Sequence, residues 1–87
     1  MPIIEIKLKE RIITISLKEK GRVLDMLIFP EQGDLTEKLI LLVDKIIKKN
    51  KLQLKDIQKI ITKSDLKENF TSYRILKTIE KTFNFFK

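Results

Sequence analysis

The chain of 87 residues contains no His, no Cys, no Trp and no Ala, and only two Gly and two Pro. Without Cys there is no disulfide, and without Cys or His there is no ordinary zinc site, so a small fold must be held by a hydrophobic core, by association, or by both. The same absences remove the imidazole base and the thiolate nucleophile from any catalytic scheme. Carboxylates, hydroxyls, one Tyr, Lys and Arg remain, and the chain is expected not to be an enzyme. Long apolar runs are missing too. The longest is Leu39 to Val43, far short of the roughly 20 residues a membrane span needs. Met1-Pro2-Ile3-Ile4 meets Glu5 and Lys7 almost at once, which does not read as a signal peptide. A cytoplasmic chain with no membrane contact is expected.

What is present is 43% apolar and 36% charged residues, with a net charge of +7. The apolar share suffices for a compact fold and argues against disorder, and the length allows one domain, residues 1–87. With 15 Ile and 16 Lys but no Ala, the basicity reads first as a Lys-rich solvated surface.

The first thirty residues alternate. Ile4, Ile6 and Leu8 oppose Glu5, Lys7 and Lys9, and Ile13, Ile15 and Leu17 oppose Thr14, Ser16 and Lys18. A third run sets Leu24, Met26 and Ile28 against Val23, Asp25, Leu27 and Phe29. These period-two, β-branched patterns predict three antiparallel strands, with a turn at Lys18-Glu19-Lys20-Gly21 and a stop at Pro30. Asp34, with Glu37 three residues on, predicts a helix start. Leu35, Leu39, Leu42, Val43, Ile46 and Ile47 follow at helical spacing, Lys48 and Lys49 suit the last turn, and Asn50 terminates. With Ile40 the apolar arc spans about 160°, wider than a small sheet needs, and Leu41 projects from the opposite side. Ile57 to Thr62 reads as a fourth strand, joined parallel to a neighbour. A second helix is expected from about Phe70 to the end, with Ser72, Ile75, Leu76, Ile79, Phe83 and Phe86 on one face.

The order is βββαβα. One face of the first two strands is apolar and the other polar, whereas a sheet covered on both sides would show continuous apolar runs. Both helices should therefore cover one face of a mixed four-stranded sheet, making a two-layer α/β sandwich.

Site chemistry is sparse. The loop Thr62 to Asn69 and the turn Lys7 to Ile12 lack glycine, and Asp65 and Glu68 would repel phosphate, so no nucleotide or other small-molecule cofactor is expected. Asp34 with Glu37 and Asp65 with Glu68 sit at helix starts, where acids act structurally. The one concentration of charge lies between residues 45 and 63, with seven lysines against a single acid, Asp56. Lys45, Lys48, Lys49, Lys51, Lys55 and Lys59 are candidate contacts to RNA, tRNA included, although the segment lacks the interleaved aromatics and Arg that nucleic-acid recognition favours.

Three segments carry a family likeness. Leu39, Leu42-Val43-Asp44 and Ile46-Ile47 resemble a "LLPLIDELL" helix; Leu52 to Ile60 resembles "LTLKDLDAI" ahead of a fourth strand; and Phe70-Thr71-Ser72-Tyr73-Arg74-Ile75 resembles "FTGLRI" opening a second helix. In this order they resemble the N-terminal half-domain of the TsaB (YeaZ-like) family, bacterial proteins of tRNA threonylcarbamoyladenosine biosynthesis with the actin-like (ribonuclease H-like) fold. The resemblance covers nearly all of the chain but about the first third of a family member. It departs where such folds meet phosphate: the family's Asp-Thr pair is Lys7-Leu8 here, and its "GPGS" is Leu66-Lys67-Glu68-Asn69. The resemblance thus implies a degenerate, truncated, non-catalytic scaffold that dimerises, or pairs with a TsaD-like subunit, through its two helices. Leu39, Ile40, Leu41, Ile47, Tyr73 and Leu76 are the expected interface. A small basic RNA-binding module is the rival reading, and a degenerate nucleotide binder a third.

Overall fold

Two tight turns build the first half of the sheet. Strands β1 (Ile3–Lys9), β2 (Ile12–Glu19) and β3 (Arg22–Pro30) are joined by Glu10-Arg11 and Lys20-Gly21. All four turn residues have positive φ: 52°, 64°, 53° and 78°. That is the mirror-image turn whose twist matches a hairpin, and only the second uses glycine to reach it. The computed structural model describes residues 1–31, 33–65 and 71–85.

After β3, Asp34 caps helix α1 (Leu35–Lys49), its carboxylate accepting the Glu37 N–H at 3.2 Å. Asn50 ends the helix. Its side-chain amide donates to the Ile46 carbonyl at 2.8 Å and to Asp25 at 2.9 Å, so the helix C-terminus is tied to β3. Strand β4 is Ile60–Ser64 and helix α2 is Thr71–Phe85. The fourth strand thus starts later than the expected Ile57. Leu54–Asp56 forms a single 3-10 turn instead, because the Asp56 carboxylate accepts the Gln53 N–H at 2.7 Å and the Ile57 N–H bonds the Leu54 carbonyl at 3.1 Å. Phe70 and Phe86, expected on the second helix, lie outside the described residues.

The sheet order is β3-β2-β1-β4, with β4 parallel to β1 and the other pairs antiparallel. Ile4, Ile6 and Leu8 with Ile13, Ile15 and Leu17 form the floor of the core, and both helices lie on that floor. Leu35, Leu39, Leu42, Val43, Ile46 and Ile47 of α1 are buried there, and Leu76 is the buried residue of α2. Each such side chain contributes about 1.5–3 kcal/mol by leaving water. The two-layer βββαβα arrangement expected from the alternation is the observed one.

Strand β3 differs in detail. Asp25, Leu27 and Phe29 share the core face, but Val23, which the alternation groups with them, does not. Leu17 pairs with Asp25 and Lys18 with Val23, so Leu24 is an extra residue at a bulge and Val23 turns to the outer face.

Candidate protein-interaction groove

The helices α1 and α2 do not close against each other along their whole length. Between them and the segment leading to β4 lies an open groove of about 460 Å³, lined mainly by Ile40, Ile47, Leu52, Leu54, Ile79 and Phe83. Its formation follows from the wide apolar arc of α1. The centre of the arc is used by the sheet, while its flank at Ile40, 58% exposed, is left over. The Asp44–Lys48 ion pair, at 3.0 Å, edges the groove. An apolar cleft with one charged pair at its rim suits an inserted apolar side chain better than a polar substrate.

The expected interface residues separate into three places. Leu39 and Leu76, 0% and 1% exposed, belong to the core and support the surface from beneath. Ile47 and Ile40 line the groove, as floor and lip. Leu41 is 59% exposed but lies outside the groove lining, and Tyr73 borders a different hollow with Lys77, whose ammonium is 5.9 Å from its ring. Leu52, Leu54, Ile79 and Phe83 were not among the expected interface residues. The i, i+4 spacing of Ile79 and Phe83 was the available signal.

The six candidate lysines are all exposed but do not share one purpose. Lys48 pairs with Asp44, Lys49 reaches Asp25 at 3.4 Å, and Lys45 lies 5.7 Å from the Phe29 ring. Lys51, Lys55 and Lys59 follow the connection to β4.

Two carboxylates brace the sheet. Asp65 accepts the Glu10 N–H at 3.2 Å, fastening the first hairpin to the end of β4. Glu5 is buried on the outer face, where Lys18 and Lys63 approach it at 3.2 and 3.5 Å. Burial alone would raise its carboxyl, but the Lys18 hydrogen bond and the two lysine charges outweigh burial and hold it below its ordinary value. No group of three potential metal ligands occurs among the described residues. Lys7 and Leu8, set against an Asp-Thr pair by the sequence resemblance, both lie within β1, with Leu8 in the core. Residues 66–69, in place of the glycine-rich segment, lie outside the described residues. No helix among the described residues is long and apolar enough to cross a membrane.

The element order, the mixed sheet and the placement of both helices on one face define half of an actin-like domain. Among the solved structures the chain resembles is YeaZ (TsaB). YeaZ from Pseudomonas aeruginosa superposes with a TM-score of 0.77 at 15% identity, over 97% of this chain and 38% of that one. An uncharacterized protein with similarity to peptidase YEAZ from Pseudomonas aeruginosa gives a TM-score of 0.72 at 16% identity, over 95% of this chain and 38% of its own. The chain therefore has the fold of a partial YeaZ-like domain and spans well under half the length of these structures. No protein-family model matches the sequence, and no curated protein matches it.

Proposed function

We propose that the chain is a non-catalytic, TsaB-like scaffold that works by protein association through its helices, as a homodimer or with a TsaD-like partner. The observation that carries this reading is the open apolar groove between α1 and α2, with Ile40 exposed at its lip. The lack of His and Cys, and the Lys7-Leu8 pair where the resembled family has Asp-Thr, support the absence of catalysis. A link to tRNA threonylcarbamoyladenosine modification rests on the YeaZ-like fold and the sequence resemblance together. The divided lysines give the RNA-binding reading less support.

The test is sedimentation equilibrium of the chain, alone and with a TsaD-like protein. Association at micromolar concentration is expected in one of the two, and Ile40→Lys should weaken it at least about tenfold, since the substitution puts a charge into a desolvating contact. Ile40 is exposed, so the variant keeps its fold. A chain that stays monomeric and ignores the partner would sink the proposal.

A further inference from the structure

The face of the sheet turned away from both helices is divided into two halves of different chemistry. Register places Met26, Ser16, Glu5 and Ile61 in one row across it, and Ile28, Thr14, Lys7 and Lys63 in the next. Along β3 the side chains are apolar, with Val23, Met26 and Ile28 exposed by 50%, 44% and 61%. On β1 and β4, Lys7 and Lys63 stand in solvent at one end of the face, while Ile61 beside them is half-buried. Between the two ridges the floor is low: Ser16 and Glu5 are buried and Thr14 is half-buried. The β3 and β1 side chains are two strand spacings apart, about 10 Å. That is close to the width of an α-helix with its side chains, about 10–12 Å.

We propose that this face docks an amphipathic helix of a partner protein, its apolar stripe on Val23, Met26 and Ile28 and its acidic flank on Lys7 and Lys63. Contiguous exposed apolar side chains beside a charged rim mark interaction surfaces, and the charge on this rim selects an acidic partner. Glu5 is already matched by Lys18 and Lys63, and Lys7 forms no ion pair among the described residues. A second copy stacked over the whole face is mismatched: a two-fold axis parallel to the strands through the middle of the face sets the apolar ridge over the lysines, and one across the strands sets lysine over lysine. A bare polyanion would meet the lysines but leave Met26 and Ile28 in water. The surface lies opposite the helix groove and is independent of the association proposed there.

The experiment uses two labelled helical peptides of about 14 residues, alike in a leucine stripe at i, i+3, i+4 and i+7 and differing only in a Glu or a Lys flank. Binding is read by fluorescence anisotropy and located by amide shifts on the whole chain. The Glu peptide should bind at least about tenfold more tightly than the Lys peptide, moving the amides of Thr14, Ser16, Met26 and Ile28. Lys7→Glu should narrow or reverse that preference. Ile28→Thr, which keeps a β-branched residue in the strand, should weaken the Glu peptide severalfold. Should Lys7→Glu fail to fold, the two peptides on the native chain still decide. Absent or equal binding, or shifts confined to Ile40, Leu54 and Phe83, would overturn the proposal. So would a single-stranded RNA oligonucleotide that moves the outer-face amides when the Glu peptide does not.

Discussion

At the β4 edge the sheet ends against a helix, and at the β3 edge it ends in solvent. The outward backbone of β4 is matched by side chains of α2. Asn84 accepts the Ile60 N–H at 3.1 Å and returns a bond to the Ile60 carbonyl at 3.2 Å, as a neighbouring strand would. Glu80 accepts the Thr62 N–H at 3.1 Å and the Thr62 hydroxyl at 3.3 Å. At β3 no described strand pairs on the outer side. There the protection is local: the Asp25 carboxylate accepts the Met26 N–H at 2.8 Å, a bulge falls at Leu24, and Pro30 ends the strand. All three are devices that blunt an edge. One edge is thus guarded by its own sequence and the other by an element that must first be packed in place. Damage to α2 should therefore spread to the sheet, whereas damage at Asp25 should stay local.

The largest effect should come from Leu76→Ala, which removes the buried anchor of α2 and leaves a cavity beneath it. A loss of about 2–5 kcal/mol in urea unfolding is expected, and a loss below 1 kcal/mol would show that α2 is held by other contacts. Asn84→Ala comes next, at about 1 kcal/mol, because both bonds to Ile60 go at once. Hydrogen exchange should quicken at the Ile60 amide and stay unchanged at Met26. Equal acceleration at both would erase the distinction between the edges.

The smallest effect concerns Asp25. Hydrogen bonds from Asn50 and the Met26 backbone, with Lys49 nearby, hold its carboxyl below the ordinary value. A carboxyl depressed in the folded state binds fewer protons there than in the unfolded chain. Its contribution is complete above about pH 5 and is lost as pH falls through the unfolded and then the folded value. Asp25→Asn should flatten the acid limb of stability without changing stability slope near neutrality. A carboxyl resonance of Asp25 titrating at its ordinary value would contradict this. Glu5 is depressed in the same sense and keeps its own share of the acid limb in that variant.

Most of the fold was legible because period-two alternation and the Asp34-to-Asn50 helix pattern each point one way. The failures have physical causes. The alternation groups Val23 with Asp25, Leu27 and Phe29 because no residue type announces the bulge that reverses its parity. The fourth strand is expected from Ile57 because that residue opens an apolar stretch, whereas the chain leaves a 3-10 turn at Asp56 and pairs with β1 only from Ile60. Of the expected interface residues, Leu39 and Leu76 sit at the centre of each apolar stripe, where the core takes them, whereas Leu52, Leu54, Ile79 and Phe83 of the groove are not among them. The groove itself was not readable, since it is assembled from α1, the segment after it, β4 and α2. Asn84 and Glu80 read as ordinary solvated polar residues, and their role appears only against Ile60 and Thr62.

The parallel pairing of β4 with β1 also bears on the order in which the molecule assembles. Ile4 pairs with Leu17 across a short hairpin but with Ile60 only after the whole of β2, β3 and α1 has been looped back. Local pairs close with little loss of chain entropy, while the long crossover closes late. The β1–β2–β3 meander is therefore expected to form first and let go last, with β4 and its α2 seam the place where the core opens. The exchange rate of the Ile60 amide reports that opening directly.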